Sequence, residues 1–320
     1  MTLSLRLSRG ETPGWIYSPS TPGFFFTGGY CCKVATAKYT VLGGVRQGAI
    51  PIANAEQYFE ESWSVIAPVP SPARSQAAGT NYRGAGLHIG GTFTSPPYFS
   101  AQVDRLWQGT WNAETSLPEP RHAHGAVTVD DAVYVVCGRN QQQQTVNTLL
   151  EFRDGTWSTK TAQPSLGRSF GNALRTGGGF LSVGGIGGDG QTKIDAWRCE
   201  TNTNTWSSIV SMPSGGRFGA AGFSIANQCF LAGGNKGFGQ ILQETIMFGS
   251  NGQWANIAPL GAPARYHFSG GAIQGEGFVS AGIDANLLAL GRHESLRDFT
   301  WTQRTPLMTP PRYLTSSVLL

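Results

Sequence analysis

One pattern constrains the fold of this chain more than any other: a cassette of about 48 residues that recurs along it. Its clearest copy runs from Arg217 to Trp254 and predicts four short strands, namely GAAGFSIA, CFLAGG, ETIMFG and a last strand that carries Trp254. The Asn251-Gly252 pair favours a tight turn before that last strand, because both central residues of a type I′ turn need a positive φ. A repeat of this length determines the fold as a whole, so it is interpreted before any single element.

Three markers recur in phase along the chain. Arginines open the cassettes at steps of 47, 47, 49, 48 and 47 residues: Arg74, Arg121, Arg168, Arg217, Arg265 and Arg312. A glycine pair, or one remaining glycine, ends the second predicted strand. A tryptophan follows about 20 residues later: Trp63, Trp111, Trp157, Trp206, Trp254 and Trp301. Counting 47 residues back from Arg74 reaches Thr27, which opens a copy without the arginine. The predicted cassettes are therefore 27–73, 74–120, 121–167, 168–216, 217–264 and 265–311.

The double glycine after an apolar strand (TVLGG, LHIGG, LSVGG), the tryptophan after a polar turn (TNTNTW, SNGQW) and the proline-arginine linkers resemble the kelch repeat. Kelch repeats are close to 50 residues long and fold as four-stranded blades of a β-propeller. The resemblance implies an all-β, kelch-type β-propeller that occupies residues 1–320 as a single domain. It implies little about activity, because propellers host many functions.

The two ends of the chain predict how the ring closes. Residues 1–26 have the pattern of the outer two strands of a blade, and residues 312–320 have that of an innermost strand. Together they would form a seventh, closing blade, which removes an exposed sheet edge. Residues 312–320 contain no second strand with a double glycine, so a six-bladed ring with the termini packed elsewhere stays open.

Composition limits the classes of partner. Charged residues make up 13% of the chain, the formal net charge is +4, and no run of lysine or arginine predicts a nucleic-acid surface. No apolar run reaches the length of a membrane span, and the first residues lack the apolar core of a cleavable signal peptide. We therefore expect a protein of the cytoplasm or of a viral particle. The five cysteines are expected to be buried free thiols: Cys31, Cys32, Cys137, Cys199 and Cys229.

Two interpretations of the six repeat arginines stay open. They could form a basic rim that binds a carboxylate-bearing or acidic partner, since guanidinium groups pair bidentately with carboxylates. Alternatively, they could bond backbone carbonyls or acidic groups of adjacent blades. The second interpretation is favoured, because a residue that every repeat contains usually serves the repeat.

Histidines and catalytic motifs give weaker signals. His122 and His124 lie two residues apart, on one face of a predicted strand, a spacing that can chelate zinc or copper. A third ligand would have to be His88, His267 or His293, and a packing role is favoured. No nucleophile elbow, zinc-protease motif or phosphate loop occurs in the sequence. We predict no cofactor and no enzymatic activity.

The loops between second and third strands differ most among the cassettes, and variable loops on a rigid scaffold usually carry recognition. Phe93, Tyr98 and Phe99 in the second of these loops are candidates for a hydrophobic contact, or they cover their own blade. The predicted function is a non-enzymatic protein-interaction or structural assembly module, for example a subunit of a phage virion. The alternative is a carbohydrate-binding or carbohydrate-modifying propeller with an acidic or histidine-lined pocket at its channel mouth.

Overall fold

The computed structural model describes Phe24–Thr27, Tyr30–Lys33 and residues 37–320. It divides into two compact units, Met1–Ala37 and Lys38–Leu320. In the first unit, Phe24–Thr27 pairs with Tyr30–Lys33 as an antiparallel hairpin. None of the described segments forms a helix with the length and apolar character that crossing a membrane requires.

The second unit contains six four-stranded antiparallel sheets among its described residues. We name each sheet after the repeat arginine that precedes its first strand, and number the strands of a sheet from that strand outward. The strands of the Arg74 sheet are Ala78–Tyr82, Ala85–Ile89, Val103–Trp107 and Thr110–Glu114. Those of the Arg121 sheet are Gly125–Val129, Ala132–Val136, Leu149–Arg153 and Thr156–Lys160. Those of the Arg168 sheet are Asn172–Thr176, Gly179–Val183, Ala196–Glu200 and Thr205–Ile209.

The other three sheets follow the same plan. The strands of the Arg217 sheet are Ala221–Ile225, Gln228–Ala232, Thr245–Phe248 and Trp254–Ile257. Those of the Arg265 sheet are Ser269–Ile273, Glu276–Ser280, His293–Arg297 and Thr300–Gln303. Those of the Arg312 sheet are Ser316–Leu319, Tyr39–Leu42, Ala55–Phe59 and Ser62–Ile66. Only this last sheet combines distant parts of the chain.

Short ladders join the residue after each repeat arginine to the loop that follows the second strand of the same sheet. Arg168–Ser169 pairs with Ile186–Gly187, and Arg312–Tyr313 pairs with Val45–Arg46, which pairs with Ile50–Pro51. Single bridges occupy the equivalent positions of the other sheets: Ser75 with Thr92, His122 with Arg139, Phe218 with Asn235 and Tyr266 with Ile283. The repeat arginines and these loops therefore lie on one face of the sheets, which we call the loop face. The two-residue turns between strands lie on the opposite face, the turn face.

Burial changes from the first strand to the fourth and explains the residue types. All five residues of the second strand Ala132–Val136 are buried, and their sequence AVYVV is apolar throughout. The fourth strand Thr156–Lys160 has no buried residue, and its sequence TWSTK is mostly polar. A second strand is covered on both sides by its neighbours, whereas a fourth strand forms the outer edge of its sheet.

The first strands form a closed cycle. Each contacts the first strands of both neighbouring sheets, in the order Arg74, Arg121, Arg168, Arg217, Arg265, Arg312 and back to Arg74. Small residues permit this approach: a Cβ at Gly79 would overlap the carbonyl group of Ser317 in the neighbouring first strand. An all-β chain whose four-stranded antiparallel sheets follow one another in a cycle is consistent with a β-propeller.

The predicted closing blade is wrong. Ser316–Leu319 pairs with Tyr39–Leu42, with Tyr39 opposite Leu319 and Leu42 opposite Ser316. Residues 312–320 therefore cannot complete a seventh blade with residues 1–26, of which 1–23 lie outside the described residues. Cassette 27–73 supplies three strands of its sheet rather than four, because Tyr30–Lys33 pairs with Phe24–Thr27. The arginine that is missing at Thr27 is supplied to this sheet by Arg312.

The core lies between neighbouring sheets. One cluster combines Leu181 and Val183 of the Arg168 sheet with Leu231 and Ile246 of the Arg217 sheet. The tryptophans on the fourth strands link the sheets at the outer edge. Trp206 Nε1 donates a 2.8 Å hydrogen bond to the Thr161 carbonyl, and Trp63 Nε1 donates to the Thr305 carbonyl at 2.8 Å. Trp111, Trp157 and Trp254 make equivalent bonds, whereas Trp301 donates to the Thr245 hydroxyl. The tryptophans thus pack between successive sheets.

Candidate interaction face

The six repeat arginines are buried, with at most 1% of each residue exposed. In the Arg168 sheet, Nη1 donates to the carbonyls of Gly184 and Asp195, at 3.1 and 3.2 Å, and Nη2 bonds the Asp195 carboxylate at 2.5 Å. Every repeat arginine pairs with one carboxylate: Asp104, Glu119, Asp195, Glu244, Glu294 and Glu56, in the order of the sheets from Arg74 to Arg312. Five of these acids lie in or next to the third strand, and Arg74, Arg168 and Arg217 also donate to the glycine carbonyl that follows the second strand of their own sheets.

The predicted basic rim of repeat arginines is absent from the surface. A guanidinium group with no exposed area and a carboxylate already bound to it cannot pair with the acid of a partner. The favoured alternative is correct in the kind of bond, since the side chains bond carbonyls and carboxylates. It is wrong in the place for five of the six arginines, whose carboxylates lie in or next to the third strand of the same sheet, whereas Glu119 lies in the linker that precedes Arg121. Burial lowers the pKa of Arg312, and the Glu56 carboxylate opposes that shift.

The backbone of the repeat arginines, in contrast, connects neighbouring sheets. The carbonyl of each one accepts a hydrogen bond from the glycine that follows the second strand of the preceding sheet. The six donor glycines are Gly44, Gly91, Gly138, Gly185, Gly234 and Gly282, at 2.7 to 3.5 Å. Gly91 has a φ of +105°, and a Cβ there would lie 2.7 Å from the Ser75 carbonyl oxygen, so this position requires glycine. The double glycine therefore serves a junction between sheets.

A second series of five backbone bonds runs along the inner edge of the loop face, from Gln76 to Leu314. It joins the residues two positions after successive repeat arginines, all of which have a positive φ. Phe170 N donates to the Ala123 carbonyl at 2.8 Å, Gly219 N to Phe170 at 2.9 Å, and His267 N to Gly219 at 2.7 Å. Ala123 N and Leu314 N make equivalent bonds to Gln76 and His267. The inner edge of the loop face is therefore rigidly bonded.

Half of this inner edge carries aromatic side chains. Phe170, Phe218, Tyr266 and His267, which we call the aromatic cluster, are all partly exposed. The ring centroids of Phe170 and His267 lie 4.7 Å apart, and those of Phe218 and Tyr266 lie 5.9 Å apart in an edge-on arrangement. Burial lowers the pKa of His267 to about 3, so its imidazole is neutral near pH 7. The equivalent positions in the Arg74 and Arg121 sheets are occupied by Ser75, Gln76 and His122, of which Gln76 is partly exposed.

His122 and His124 do not share a strand face. Ala123 between them has a φ of +52°, and the strand begins at Gly125, so the extended alternation that the metal hypothesis requires is broken. His122 Nδ1 lies 3.0 Å from Gln76 Oε1, and the imidazole stacks on Phe99 at a centroid distance of 5.3 Å. Burial and the charge of Arg139 lower the pKa of His122 to about 4.

The other histidines considered as metal ligands also have packing partners. His88 Nδ1 lies 2.9 Å from Ser316 Oγ, and His293 Nδ1 lies 2.7 Å from Ser280 Oγ. Within residues 37–320 and the two described strands before them, no three histidine, cysteine, aspartate or glutamate side chains converge as a metal site. Cys137, Cys199 and Cys229 are buried free thiols whose pKa values are raised to between about 11 and 12, first of all by burial, and the side chains of Cys31 and Cys32 lie outside the described part of the structure.

Of the three aromatic residues predicted for a hydrophobic contact, only Tyr98 has an exposed side chain. Tyr98 is 50% exposed at the tip of its loop. Phe93 and Phe99 are partly buried, and Phe99 packs on His122. These two residues therefore cover their own region, as the alternative interpretation held.

The structure adds four exposed apolar residues at the tips of other loops. Phe238 is 100% exposed, and Leu287, Leu288 and Ile50 are 59%, 52% and 46% exposed. Together with Tyr98 we call them the apolar loop tips. The sequence contains a signal for them, because bulky apolar residues occur inside the short loops NKGFG and IDANLLAL.

Side chains hold these loop tips in place. Asn235 Oδ1 accepts from Gly237 N at 2.7 Å beside Phe238, and Asp284 Oδ1 accepts from Leu288 N at 2.9 Å. Gln47 connects two loops, because its amide donates to the Leu287 carbonyl at 3.1 Å and accepts from Ala289 N at 3.0 Å. The apolar side chains are therefore displayed from defined backbone positions.

The two faces differ in charge. Between their bridged ends, the six loops of the loop face contain five charged residues: Arg46, Arg139, Asp189, Lys236 and Asp284. On the turn face, charged side chains form networks between sheets. Arg83 there donates from Nε to Asp131 at 2.8 Å and from Nη2 to Asp154 at 2.6 Å. The loop face therefore combines the apolar loop tips with few charged residues, whereas the exposed Trp107 and Phe299 of the turn face lie among its charged networks.

Comparisons with known proteins extend the result for the fold. No protein-family model matches the chain, and no curated protein matches it significantly. Among solved structures, the protein YjhT is similar with a TM-score of 0.71 and 14% sequence identity, over 85% of this chain and 98% of that one. At this level of identity, the similarity shows a shared fold alone.

Proposed function

We propose that this chain is a six-bladed, kelch-type β-propeller that acts as a non-enzymatic interaction or assembly module and binds another protein through its loop face. The observation that carries the proposal is the set of apolar loop tips, led by the fully exposed Phe238. The in-phase markers and the closed cycle of six first strands support the blade number and the repeat type.

The chemistry of the loop face favours a protein partner. The core of a protein interface is depleted in charged residues and enriched in aromatic and apolar ones, and the loop tips have this composition. Exposed apolar groups gathered on one face mark interaction sites more often than apolar residues scattered singly. Because side-chain and backbone bonds already hold the loops, binding loses little loop entropy, which favours affinity.

The test measures assembly. We expect the native protein, taken from its source, to migrate with a larger assembly in fixed stoichiometry. The double variant Phe238→Ser/Leu287→Ser is expected to lose that co-migration while it keeps the wild-type melting temperature, since neither side chain is buried. The matched control is Val65→Ser, because Val65 is 57% exposed but lies on a fourth strand away from the loops.

Two outcomes contradict the proposal. The first is a wild-type protein that migrates as a single chain of 34.1 kDa in every source fraction. The second is a loop-tip variant that assembles as well as Val65→Ser. A structural subunit of a virion is one concrete form of the proposal, and it requires a constant copy number in purified particles. That form also places the protein in the cytoplasm or in the particle.

The aromatic cluster favours a second candidate function, carbohydrate binding or modification. Ligand sites combine apolar and aromatic walls with a few polar groups, and the cluster shares the inner edge with the partly exposed Gln76. A panel of monosaccharides and oligosaccharides, titrated against the wild type and Phe218→Ala, distinguishes the two candidates. Saturable sugar binding that Phe218→Ala removes supports this second candidate, and no binding to any sugar excludes it for the sugars in the panel.

A further inference from the structure

We infer that a cleft on the loop face beside Arg139 binds a carboxylate group of the partner protein. The inference rests on the proposed function and names one chemical requirement that the partner has to meet. Arg139 lies between the glycine that ends the second strand of the Arg121 sheet and the loop that follows it.

The repeat itself does not require an arginine at this position. The equivalent residues of the other sheets, each bridged to the residue after a repeat arginine, are uncharged: Val45, Thr92, Ile186, Asn235 and Ile283. A valine, a threonine, two isoleucines and an asparagine all satisfy the same backbone geometry. The charge of Arg139 therefore serves something other than the fold of the ring.

That charge has no carboxylate partner among the described residues. Nε of Arg139 donates to the buried hydroxyl of Ser169 at 3.3 Å, and both Nη groups lack a hydrogen bond within the described part of the chain. The six repeat arginines, in contrast, each have an acid. The nearby Asp189 is engaged by Lys193, whose Nζ lies 2.7 Å from its carboxylate. Arg139 thus keeps an uncompensated positive charge, which also helps to lower the pKa of His122.

The space in front of Arg139 suits a small anion on a polypeptide. A cleft of about 510 Å³ lies between the loops of the Arg121 and Arg168 sheets, lined by Arg139, Gln143, Gln144, Thr145, Val146 and Gly188. Guanidinium groups bind carboxylates through two parallel N–H···O bonds. The amides of Gln143 and Gln144 and the Thr145 hydroxyl are further donors. A planar carboxylate in this cleft would therefore displace water from the Nη groups of Arg139 and accept two directional, charge-assisted hydrogen bonds from them.

The experiment compares two peptide pools. One pool consists of heptapeptides with a central glutamate, and the other has glutamine at that position, with the six flanking positions random in both. We expect the wild-type protein to retain the glutamate pool about tenfold more than the glutamine pool, the value of one charge-assisted hydrogen bond. Arg139→Gln is expected to abolish the preference, and Arg139→Lys to weaken it, because lysine cannot form the bidentate pair.

Two further measurements identify the cause of any effect. Arg46→Gln is the matched control, since Arg46 is an exposed arginine on the same face, and the preference has to survive this change. Free N-acetylglutamate, used as a competitor, distinguishes a small-molecule carboxylate site from a polypeptide site. Competition at the same concentration as the peptide pool would move the assignment to a small acid.

The inference fails if the wild type retains both pools equally, or if Arg139→Gln keeps the preference for glutamate. It also fails if Arg46→Gln reduces the preference for the glutamate pool as much as Arg139→Gln does. The preference would then reflect the general charge of the loop face. These results are independent of the test of the proposed function, which depends on Phe238 and Leu287. Assembly that needs the loop tips, without any glutamate preference, leaves that function standing and removes the carboxylate site.

Discussion

Replacing Arg312 by methionine is the sharpest test of the role given to the repeat arginines. Arg312 Nη2 bonds Glu56 Oε2 at 2.9 Å, and both side chains are 0% exposed. The variant leaves the Glu56 carboxylate buried with one remaining donor, Thr309 N, at 2.6 Å. Breaking a buried pair in this way costs about 3–5 kcal/mol of the free energy of unfolding, a large share of the total stability of a domain.

The other repeat arginines provide an internal scale for this prediction. The carboxylates paired with Arg265 and Arg74 are 2% exposed, whereas those paired with Arg217, Arg168 and Arg121 are 25%, 36% and 47% exposed. An abandoned carboxylate is hydrated more easily when it is more exposed. The loss caused by arginine-to-methionine substitution is therefore expected to decrease from Arg312 and Arg74 to Arg121, with Arg265 set apart because Glu294 keeps a second partner, Arg292, at 2.9 Å.

Urea unfolding followed by tryptophan fluorescence measures these losses. The double variant Arg312→Met/Glu56→Leu is expected to recover most of the stability, because apolar residues can replace a buried ion pair without leaving a charge. The recovery appears as a coupling free energy of about 1–3 kcal/mol in a double-mutant cycle. A loss below about 1 kcal/mol for Arg312→Met, or an equal loss at Arg121, would refute the assignment.

Three further predictions concern the buried histidines, the junction at Gly91 and the C-terminal strand. Burial lowers the pKa of His124 and His293 to about 3, so the unfolded state takes up protons first as the pH falls below 6.5. The free energy of unfolding should fall by about 2 kcal/mol per histidine between pH 7 and pH 5. His124→Gln should reduce this dependence on pH in thermal melts, and an identical dependence in the variant and the wild type would contradict the prediction. Gly91→Ala should destabilise the protein more than Gly109→Ala. Both positions have a positive φ, which costs an alanine about 1 kcal/mol of stability, but a Cβ at Gly109 meets nothing within 4 Å. Equal melting temperatures of the two variants would contradict the junction described for Gly91. Removing Ser316–Leu320 uncovers the buried strand Tyr39–Leu42 and should produce aggregation in size-exclusion chromatography, whereas a monodisperse protein of unchanged stability would be inconsistent with the pairing.

Most of the fold was predictable because the repeat is marked by side chains with local roles. The turns, the glycine pairs and the tryptophans each act within one or two sheets, so their spacing locates strands directly. Ring closure was not predictable in the same way. Arg312 and Glu56 are 256 positions apart, and no local pattern states which strand Ser316–Leu319 will pair with. The one usable clue was that Thr27 lacks the arginine that Arg312 supplies.

The candidate site was less predictable, because a periodic pattern identifies the residues that recur in every repeat but does not indicate whether they are exposed. The repeat arginines recur since every sheet needs them, and for the same reason they are buried. The residues that distinguish one blade from another, such as Arg139 and Phe238, do not recur with the repeat, so periodicity does not identify them. In a repeat protein, a departure from the consensus in a loop is the better signal of specificity.

The closed cycle of backbone bonds has a consequence for motion. In an open array of repeats the terminal units fray, because each of them has a single neighbour. Here every first strand has two neighbours, and the bonds at Gly91 and its five equivalents hold the junctions between sheets. Hydrogen exchange should then differ between the two regions: amides of the first and second strands open only with global unfolding, while those of the loops open locally, at a lower free energy. The loops can change in sequence and shape from one protein to the next without weakening the ring that carries them.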